Sequence, residues 1–505
     1  MLKKRGAGVL FHISSMPSPY GIGVFGNNTK DFIDKICHMG FTYWQVLPFN
    51  PTDSSNSPYC SPSAFAGNYL FINPEGLKDM GLIGEEDVQS NYYDGTPYTA
   101  NYEYAAEKRL ETLKKAFLNI TDSIAADIKK FEIENPWLTD YAVYMAVKEL
   151  ENGKPWWEWS EEHSHYYSCI QDIFSFEEKA AFWKFVQYIF FKQWFEIKQY
   201  ANDKGIAVIG DMPIYVAMDS VDVWSNLPLF LIDEKTLKVE KVAGVPPDYF
   251  SENGQLWGNP IYDWKAMKKD NYAWWISRIG TALKTYDVVR IDHFRAFASY
   301  WEVPADAETA KTGEWKDGPK MDLFSKVFEA FPDAPIIAED LGTFGEDVIQ
   351  LLEDTGFPGM KVVQFGFDPN SDSSHMPHNA VPNSINYVGT HDNNTILGWL
   401  WEASEAERKF ALDYIGFNGD NWGEGGYYSQ SCRKVTESVW KSASNVAIIS
   451  LQDMCGFGSD ARMNTPGVPE ENWRFRTTQD TLNNIDFDYF RHINSTFRRM
   501  YPVFD

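Results

Sequence analysis

Short apolar runs, rich in β-branched residues, recur along the chain and are bounded by polar residues or by Gly and Pro. Runs of this length and composition predict buried parallel strands. Eight such runs are found, at residues 8–14, 42–48, 206–214, 288–294, 335–342, 360–367, 385–393 and 445–454.

Stretches with the helical period separate most of these runs. Residues 29–40 are typical, with apolar positions at Phe32, Ile33, Ile36 and Met39 and a closing glycine. Eight strands that alternate with helices predict an α/β fold, a (β/α)8 TIM barrel formed by one domain over residues 1–505.

Two intervals between the predicted strands are longer than a barrel needs. Residues 73–200, after the second strand, read as a mostly helical insertion. Residues 215–285, after the third strand, read as a second insertion with a Gly/Pro-rich loop.

Acidic residues follow the predicted strands repeatedly. Because barrel chemistry lies at the carboxyl ends of the strands, these acids are candidate functional residues. One acid there is often only a helix cap, whereas several like charges at one barrel mouth raise one another's pKa. The residues are Asp211, Asp292, Glu339, Asp340, Asp368 and Asp392.

The run VVRIDHF places Arg290 two residues before Asp292, so both side chains lie on one face of a strand. We expect this pairing to lower the pKa of Asp292, whereas burial and nearby carboxylates raise that of Glu339. Two carboxyl groups in these states can cleave or transfer a glycosidic bond.

Composition narrows the alternatives. The formal net charge of −26 makes nucleic acid an improbable partner, and 16% aromatic residues suit stacking on sugar rings. Five cysteines and the isolated HxH and HxxH spacings favour neither a disulfide framework nor a metal site. No signal peptide and no apolar run of membrane-spanning length is recognised, so we expect a cytoplasmic protein.

Longer motifs then resemble those of glycoside hydrolase family 77, the 4-α-glucanotransferases or amylomaltases. The resemblance covers nearly the whole chain. It rests on GVLFHISSMPSPYGIGVFG, SPYCSPSAFAGNYLFINP, GDMPIYVAMDSVDVW, GVPPDYFSENGQLWGNPIYDW, VVRIDHFRAF, IIAEDLG, YVGTHDNNT and RMNTPG.

The resemblance implies roles for matching positions. Asp292 matches the nucleophile, Glu339 the general acid/base and Asp392 the acid that stabilises the transition state. The implied substrate contacts are Tyr59, Ser57, Asp211, Gln255, Trp257, Arg290, His391, Asp368 and Asn464. The implied partners are malto-oligosaccharides, α-1,4-glucans derived from starch or glycogen, and glucose, with no cofactor and no metal.

The chain also departs from the family pattern. Ser54 stands where many members have an aromatic residue near a secondary glucan groove, and Cys60 where glutamine is common. The loop around 249–257, with Trp257, is the candidate lid that excludes water. We interpret the WWEW at 156–159 as packing and His293 and Arg295 as support for the strand end.

Two other functions stay open on the sequence. An α-glucan hydrolase uses the same acids, and a non-catalytic glucan-binding protein could retain the fold. The sequence does not indicate an oligomeric state.

Overall fold

A computed structural model describes residues 2–171, 173–247, 251–342, 345–468, 471–502 and 504. Within them the chain forms twelve strands, eight of which make one parallel sheet in the order β10-β11-β12-β1-β2-β3-β6-β9. The strands are β1 (Gly6–Leu10), β2 (Tyr43–Gln45), β3 (Ala207–Met212), β4 (Lys241–Val245), β5 (Gln255–Pro260), β6 (Val288–Ile291), β7 (Ser299–Pro304), β8 (Glu314–Asp317), β9 (Ile336–Ala338), β10 (Gly359–Val362), β11 (Ser384–Tyr387) and β12 (Val446–Ser450).

The eight-stranded sheet closes on itself as a barrel. Its neighbouring strands are all parallel, as for β3 and β6, where Asp211 lies opposite Arg290. Between β9 and β10 the Ala338 amide donates to the carbonyl of Pro358 over 3.0 Å. The predicted (β/α)8 barrel is therefore confirmed, and each of the eight predicted runs contains one barrel strand or most of one.

The predicted runs are longer than the strands because their last residues belong to the loops at the barrel mouth. The run 385–393, for example, contains β11 only up to Tyr387. The helix predicted at 29–40 is Asn27–His38, and Gly40 follows it with a φ of 80°. A positive φ of this kind is the conformation in which glycine commonly ends a helix.

Side chains that alternate between the two faces of each strand fill the barrel interior from one face and pack against the helices from the other. Ile209, Val288 and Ile337 point inward together with Tyr43 and Tyr387, whereas Val289 and Ile291 face the surrounding helices. Because successive side chains of a strand point to opposite faces, the residues two positions after the inward apolar ones also point inward. These residues include Asp211, Arg290 and Glu339.

Twenty α-helices are found in the described residues. Eight of them, α2 to α9, lie between β2 and β3. They are α1 (Asn27–His38), α2 (Pro74–Asp79), α3 (Glu85–Gln89), α4 (Tyr102–Phe117), α5 (Asp122–Glu134), α6 (Trp137–Leu150), α7 (Glu161–Ser164), α8 (Tyr166–Gln171), α9 (Glu177–Asp203), α10 (Val221–Ser225), α11 (Trp264–Lys269), α12 (Ala273–Thr285), α13 (Met321–Ala330), α14 (Glu346–Thr355), α15 (Ile396–Glu402), α16 (Glu405–Ile415), α17 (Gln430–Lys441), α18 (Leu451–Met454), α19 (Gln479–Asn483) and α20 (Phe487–Thr496). In the described part of the chain, none of these helices has the length and apolar character to cross a membrane.

The stretch after β3 is not wholly helical. It contributes β4 and β5 to a second, antiparallel sheet of order β5-β4-β7-β8. Strands β7 and β8 come from beyond barrel strand β6, so this sheet joins two segments that the sequence separates. The sequence analysis did not predict it.

The end of the chain is tied to the bottom of the barrel by Arg499. Its fully buried guanidinium donates to the carbonyls of Trp440, Gly6, Ser444 and Ser442 over 3.0–3.2 Å. These carbonyls lie near the start of β1 and before β12. A single side chain therefore supplies donors that several buried carbonyls need.

Replacing Arg499 by Met should lower the free energy of unfolding by about 2–4 kcal/mol, because each of these carbonyls loses a donor and Arg5 still donates only to those of Trp440, Ser442 and Ser444. Thermal or denaturant unfolding measures the change. The control is Arg498→Met, since Arg498 is the exposed neighbour. Equal stability of the two variants would contradict this role of Arg499.

Candidate active site

A buried arginine organises the centre of the barrel mouth. Arg290 Nη1 contacts Asp211 Oδ1 and Oδ2 at 2.7 and 2.6 Å, and its Nη2 lies 2.9 Å from Asp292 Oδ1. The hydroxyl of Tyr59 donates to Asp211 Oδ2 over 2.7 Å. Two carboxylates of neighbouring strands thus share one cation, which offsets the cost of burying their charges.

The pKa of Asp292 is determined by burial as well as by its pairing with Arg290. The predicted ion pair with Arg290 is present and lowers the pKa of Asp292 as expected, but burial, which the prediction did not include, outweighs it. Burial raises the pKa of Asp292 to about 6, and Arg290 lowers it only in part, against the added repulsion of Asp211 and Asp392. The side chain keeps 27% of its surface exposed, so the carboxylate remains open to a ligand.

Glu339 lies beside it on the next strand of the barrel. Its Oε2 accepts from the His293 amide and its Oε1 from the Leu341 amide, both at 2.7 Å. Burial, followed by repulsion from Asp292, raises the pKa of Glu339 to about 8. Near neutral pH the pair therefore holds one proton, and it sits on Glu339.

Asp392 forms the third acid of the cluster, in the loop after β11. Burial disfavours the charged form of Asp392, but His391 and Asn464 lower its pKa to about 2. His391 Nε2 lies 3.3 Å from Asp392 Oδ2, and Asn464 Nδ2 donates to Asp392 Oδ1 over 2.6 Å. Arg462 Nη2 donates to the Asp392 carbonyl over 2.6 Å. Asp392 is therefore a fixed negative charge.

An aromatic wall closes one side of the cluster. The ring of Tyr59 stacks on His391 with centroids 5.2 Å apart, and Trp473 packs against both rings at 5.7 and 5.8 Å. Ser57 Oγ accepts from the Tyr59 amide over 3.3 Å. This wall fixes the hydroxyl of Tyr59 over Asp211.

Trp257 lies on the opposite side, on β5 at the edge of the second sheet. Its ring meets that of His293 at 4.7 Å, and its Nε1 donates to Gln255 Oε1 over 3.1 Å. The indole is 37% exposed. Of the loop predicted around 249–257, Tyr249 lies outside the described residues, whereas Trp257 contacts the ring of His293, the residue whose amide binds Glu339.

Most of the substrate contacts predicted from sequence come together here, with one exception. Asp368 accepts from the backbone amide of Asn370, within its own turn, and in the described part of the chain it forms no ion pair or hydrogen bond with the acid cluster. Asp340, also a strand-end acid, accepts a hydrogen bond from the backbone amide of Met360 in β10 and so has a structural role. In the WWEW segment Trp156 and Trp159 are buried, as the packing interpretation expects.

Several residues of the site were missed or set aside by the sequence analysis. His293 and Trp473 both have a left-handed backbone, with φ of 51° and 67°. Such a conformation is strained for a side chain larger than glycine, and strained residues cluster at functional sites. No local sequence signal marks it, because the surrounding fold imposes it.

His12, at the end of β1, is another residue that was missed. Burial lowers its pKa to about 3, and its Nδ1 accepts from the Leu47 amide, so the ring is neutral. It lines a small pocket together with His391 and Arg462. The sequence analysis placed it inside the predicted run 8–14, whereas β1 ends at Leu10 and leaves His12 in the loop at the barrel mouth.

The chemistry of the cluster rests on carboxyl groups. Among the described residues no three His, Cys, Asp or Glu side chains converge in the way a metal ion requires. A paired carboxylate, a protonated carboxyl group and a third fixed carboxylate can perform nucleophilic and acid/base steps on a polyhydroxylated substrate.

Comparison with known proteins identifies the family of this chain. The family model described as 4-alpha-glucanotransferase matches residues 11–481. The 4-alpha-glucanotransferase of Streptococcus pneumoniae is 43% identical over 507 residues, which cover 99% of this chain and 98% of the relative. That of Clostridium butyricum is 41% identical over 482 residues, covering 94% and 96%.

A solved structure, the amylomaltase of Streptococcus agalactiae in complex with acarbose, superposes with a TM-score of 0.93 at 38% identity and covers 98% of this chain and 100% of its own. The amylomaltase of Corynebacterium glutamicum, at 19% identity and a TM-score of 0.80 over 97% of this chain and 75% of its own, shares the fold. The chain belongs to the 4-alpha-glucanotransferase family.

Proposed function

We propose that this site transfers α-1,4-glucan segments from a donor malto-oligosaccharide to the 4-hydroxyl of a second glucan or of glucose. The observation that carries the proposal is the contrast between Asp292 and Glu339. One carboxyl group is paired with Arg290, and the other is buried with a pKa of about 8. A retaining transfer needs this pair of a nucleophile and an acid.

In the first step Asp292 attacks C1 of the donor sugar. The C1–O bond to the reducing-end segment breaks, and Glu339 gives its proton to the departing oxygen. The products are a glycosyl ester on Asp292, an ionised Glu339 and a free shortened sugar. Asp392 and the Arg290–Asp211 pair surround the positive charge that develops on the ring.

In the second step the 4-hydroxyl of the acceptor attacks C1 of the ester. Glu339 removes the hydroxyl proton, and Asp292 leaves as a carboxylate. Two inversions give net retention, and the proton taken from the acceptor hydroxyl replaces the one that Glu339 gave to the departing sugar. The side chains supply the nucleophile and the proton carrier, so the proposed reaction needs neither metal nor organic cofactor.

The remaining residues are proposed as substrate contacts. His391 and Asn464 hold Asp392 in place for sugar hydroxyls, and Tyr59 presents its ring and hydroxyl beside them. Gln255 and Trp257 face the cluster from the second sheet, with Ser57 behind Tyr59. Asp368 is the weakest member of this group, because its contacts lie in its own turn.

Transfer rather than hydrolysis requires that water be kept from the glycosyl ester. Trp257 supports this role because its indole lies against His293, whose amide binds Glu339. An indole at this place excludes water from the acid/base carboxyl and offers its face to an acceptor sugar.

Incubation with pure maltotriose tests the proposal directly. We expect glucose together with a ladder of longer oligosaccharides and almost no gain in reducing ends. Shorter sugars alone, with rising reducing ends, would mean a hydrolase, and binding without turnover would mean a glucan-binding protein.

Asp292→Asn should lose at least about a thousandfold in kcat, whereas Asp368→Asn, outside the carboxylate cluster, should lose far less.

The pH dependence of transfer should be bell-shaped. Activity needs Asp292 ionised and Glu339 protonated, so it should rise as the pH passes about 6 and fall as the pH passes about 8.

Replacing His293 by Ala should admit water beside Glu339 and lower the pKa of Glu339. The falling limb of the pH profile should then move down by about half a pH unit or more. His378→Ala, at an exposed histidine, is the control; an unmoved limb in His293→Ala would contradict this shielding.

Trp257→Ala should raise the ratio of hydrolysis to transfer by about threefold or more, because water gains access to the ester. Reducing-end assays and chromatography of products on maltotriose give the two rates. Trp157→Ala is a matched control, since Trp157 is likewise 37% exposed but lies in the helical region between β2 and β3. The same ratio in both variants would remove Trp257 from this role.

A further inference from the structure

Trp401 is an exposed tryptophan at the rim of the barrel mouth. It lies near the end of α15, which begins four residues after Asp392, and its side chain is 49% exposed. Along the helix, the rise from Thr395 to Trp401, six residues further on, is about 9 Å. A single exposed aromatic side chain is ordinary on a protein surface, so the surroundings of Trp401 decide whether it can bind a ligand.

The indole is held in one position. Its Nε1 donates to the Gly423 carbonyl over 3.2 Å. A Cβ at Gly458 would lie 2.5 Å from Cζ3 of the indole, yet Gly458 has an ordinary φ of −86°. Glycine is therefore needed there for the space that the indole occupies and not for the backbone. A side chain fixed in this way loses little entropy when it binds.

Hydrogen bonds connect this rim to the acid cluster. Asn394 Nδ2 donates to Ser459 Oγ over 2.9 Å, and Ser459 Oγ donates to Glu402 Oε1 over 3.3 Å. Arg462 bridges the same loops, since it binds the Asp392 carbonyl and, through Nε, the Asn464 carbonyl at 2.7 Å. The rim and the loop of Asp392 thus form one continuous framework.

The surroundings of Trp401 suit a sugar. Glu402 follows it in sequence, and the exposed Asp460 lies beside Gly458. Carboxylates accept hydrogen bonds from hydroxyl groups, and an indole face stacks on the apolar face of a pyranose ring. A neutral polyhydroxylated chain fits this combination, whereas an anionic ligand would be repelled.

We propose that Trp401 is a distal binding subsite for α-1,4-glucan chains too long to be contained at the acid cluster. This inference rests on the proposed function and extends it to substrate length. A chain bound across Asp292 and Glu339 continues along the Asn394–Ser459–Glu402 rim and stacks one glucose ring on the indole. Maltotriose bound at the cluster does not reach it.

The test compares the KM for amylose with the KM for maltotriose in Trp401→Ala, Trp401→Tyr and Trp157→Ala. Loss of one stacking contact should raise the amylose-to-maltotriose KM ratio about threefold to tenfold in Trp401→Ala. Trp401→Tyr should restore part of the loss, and Trp157→Ala should leave the ratio at the wild-type value. Trp401→Leu, which keeps apolar bulk, replaces the alanine variant if that variant is unstable.

An unchanged ratio in Trp401→Ala or Trp401→Leu would overturn the distal subsite, as would the same rise in Trp157→Ala. Failure of the proposed function is a separate result: the wild-type protein would then form no ladder from maltotriose. A wild-type ladder with an unchanged KM ratio leaves transfer intact and removes only Trp401.

Discussion

Arg290 is the cation on which the rest of the barrel mouth depends. It is buried, and it binds Asp211 and Asp292 at once. A buried arginine with two carboxylates is stable only when its donors are used, and removing any member leaves an uncompensated charge. Tyr59 is fixed through Asp211 and stacks on His391, so the aromatic wall is positioned through the same cation.

This arrangement gives neighbouring carboxyl groups different protonation states. Asp292 and Glu339 follow adjacent barrel strands, and both are raised in pKa by burial. Arg290 faces Asp292 more directly and lowers its pKa, whereas Glu339 is repelled by Asp292 and its two backbone amides lower its pKa only in part. The separation of their pKa values therefore comes from the number and distance of charged neighbours. Asp392 stays ionised because the neighbouring His391 and, from a different loop, Asn464 lower its pKa.

The rim adds functions that the central acids do not supply. Trp257 on β5 approaches from the second sheet, and Trp401 on α15 from the loop after β11. Both indoles are fixed by a hydrogen bond and remain partly exposed. In our proposals Trp257 excludes water and so affects the ratio of hydrolysis to transfer. Trp401 extends the length of chain that is bound and so affects the KM for long glucans.

The amino-acid sequence by itself determined the eight barrel strands, because apolar runs between polar ends are a local property. Its alternation also placed Arg290 and Asp292 on one face, and the resemblance named the acids. Three features required the tertiary structure. The sign of the Asp292 pKa shift depends on burial, and the second sheet pairs segments on either side of β6. The left-handed backbone of His293 aims its amide at Glu339 only because packing there enforces it. Each is set by residues far apart in the chain, whose distances no local pattern contains.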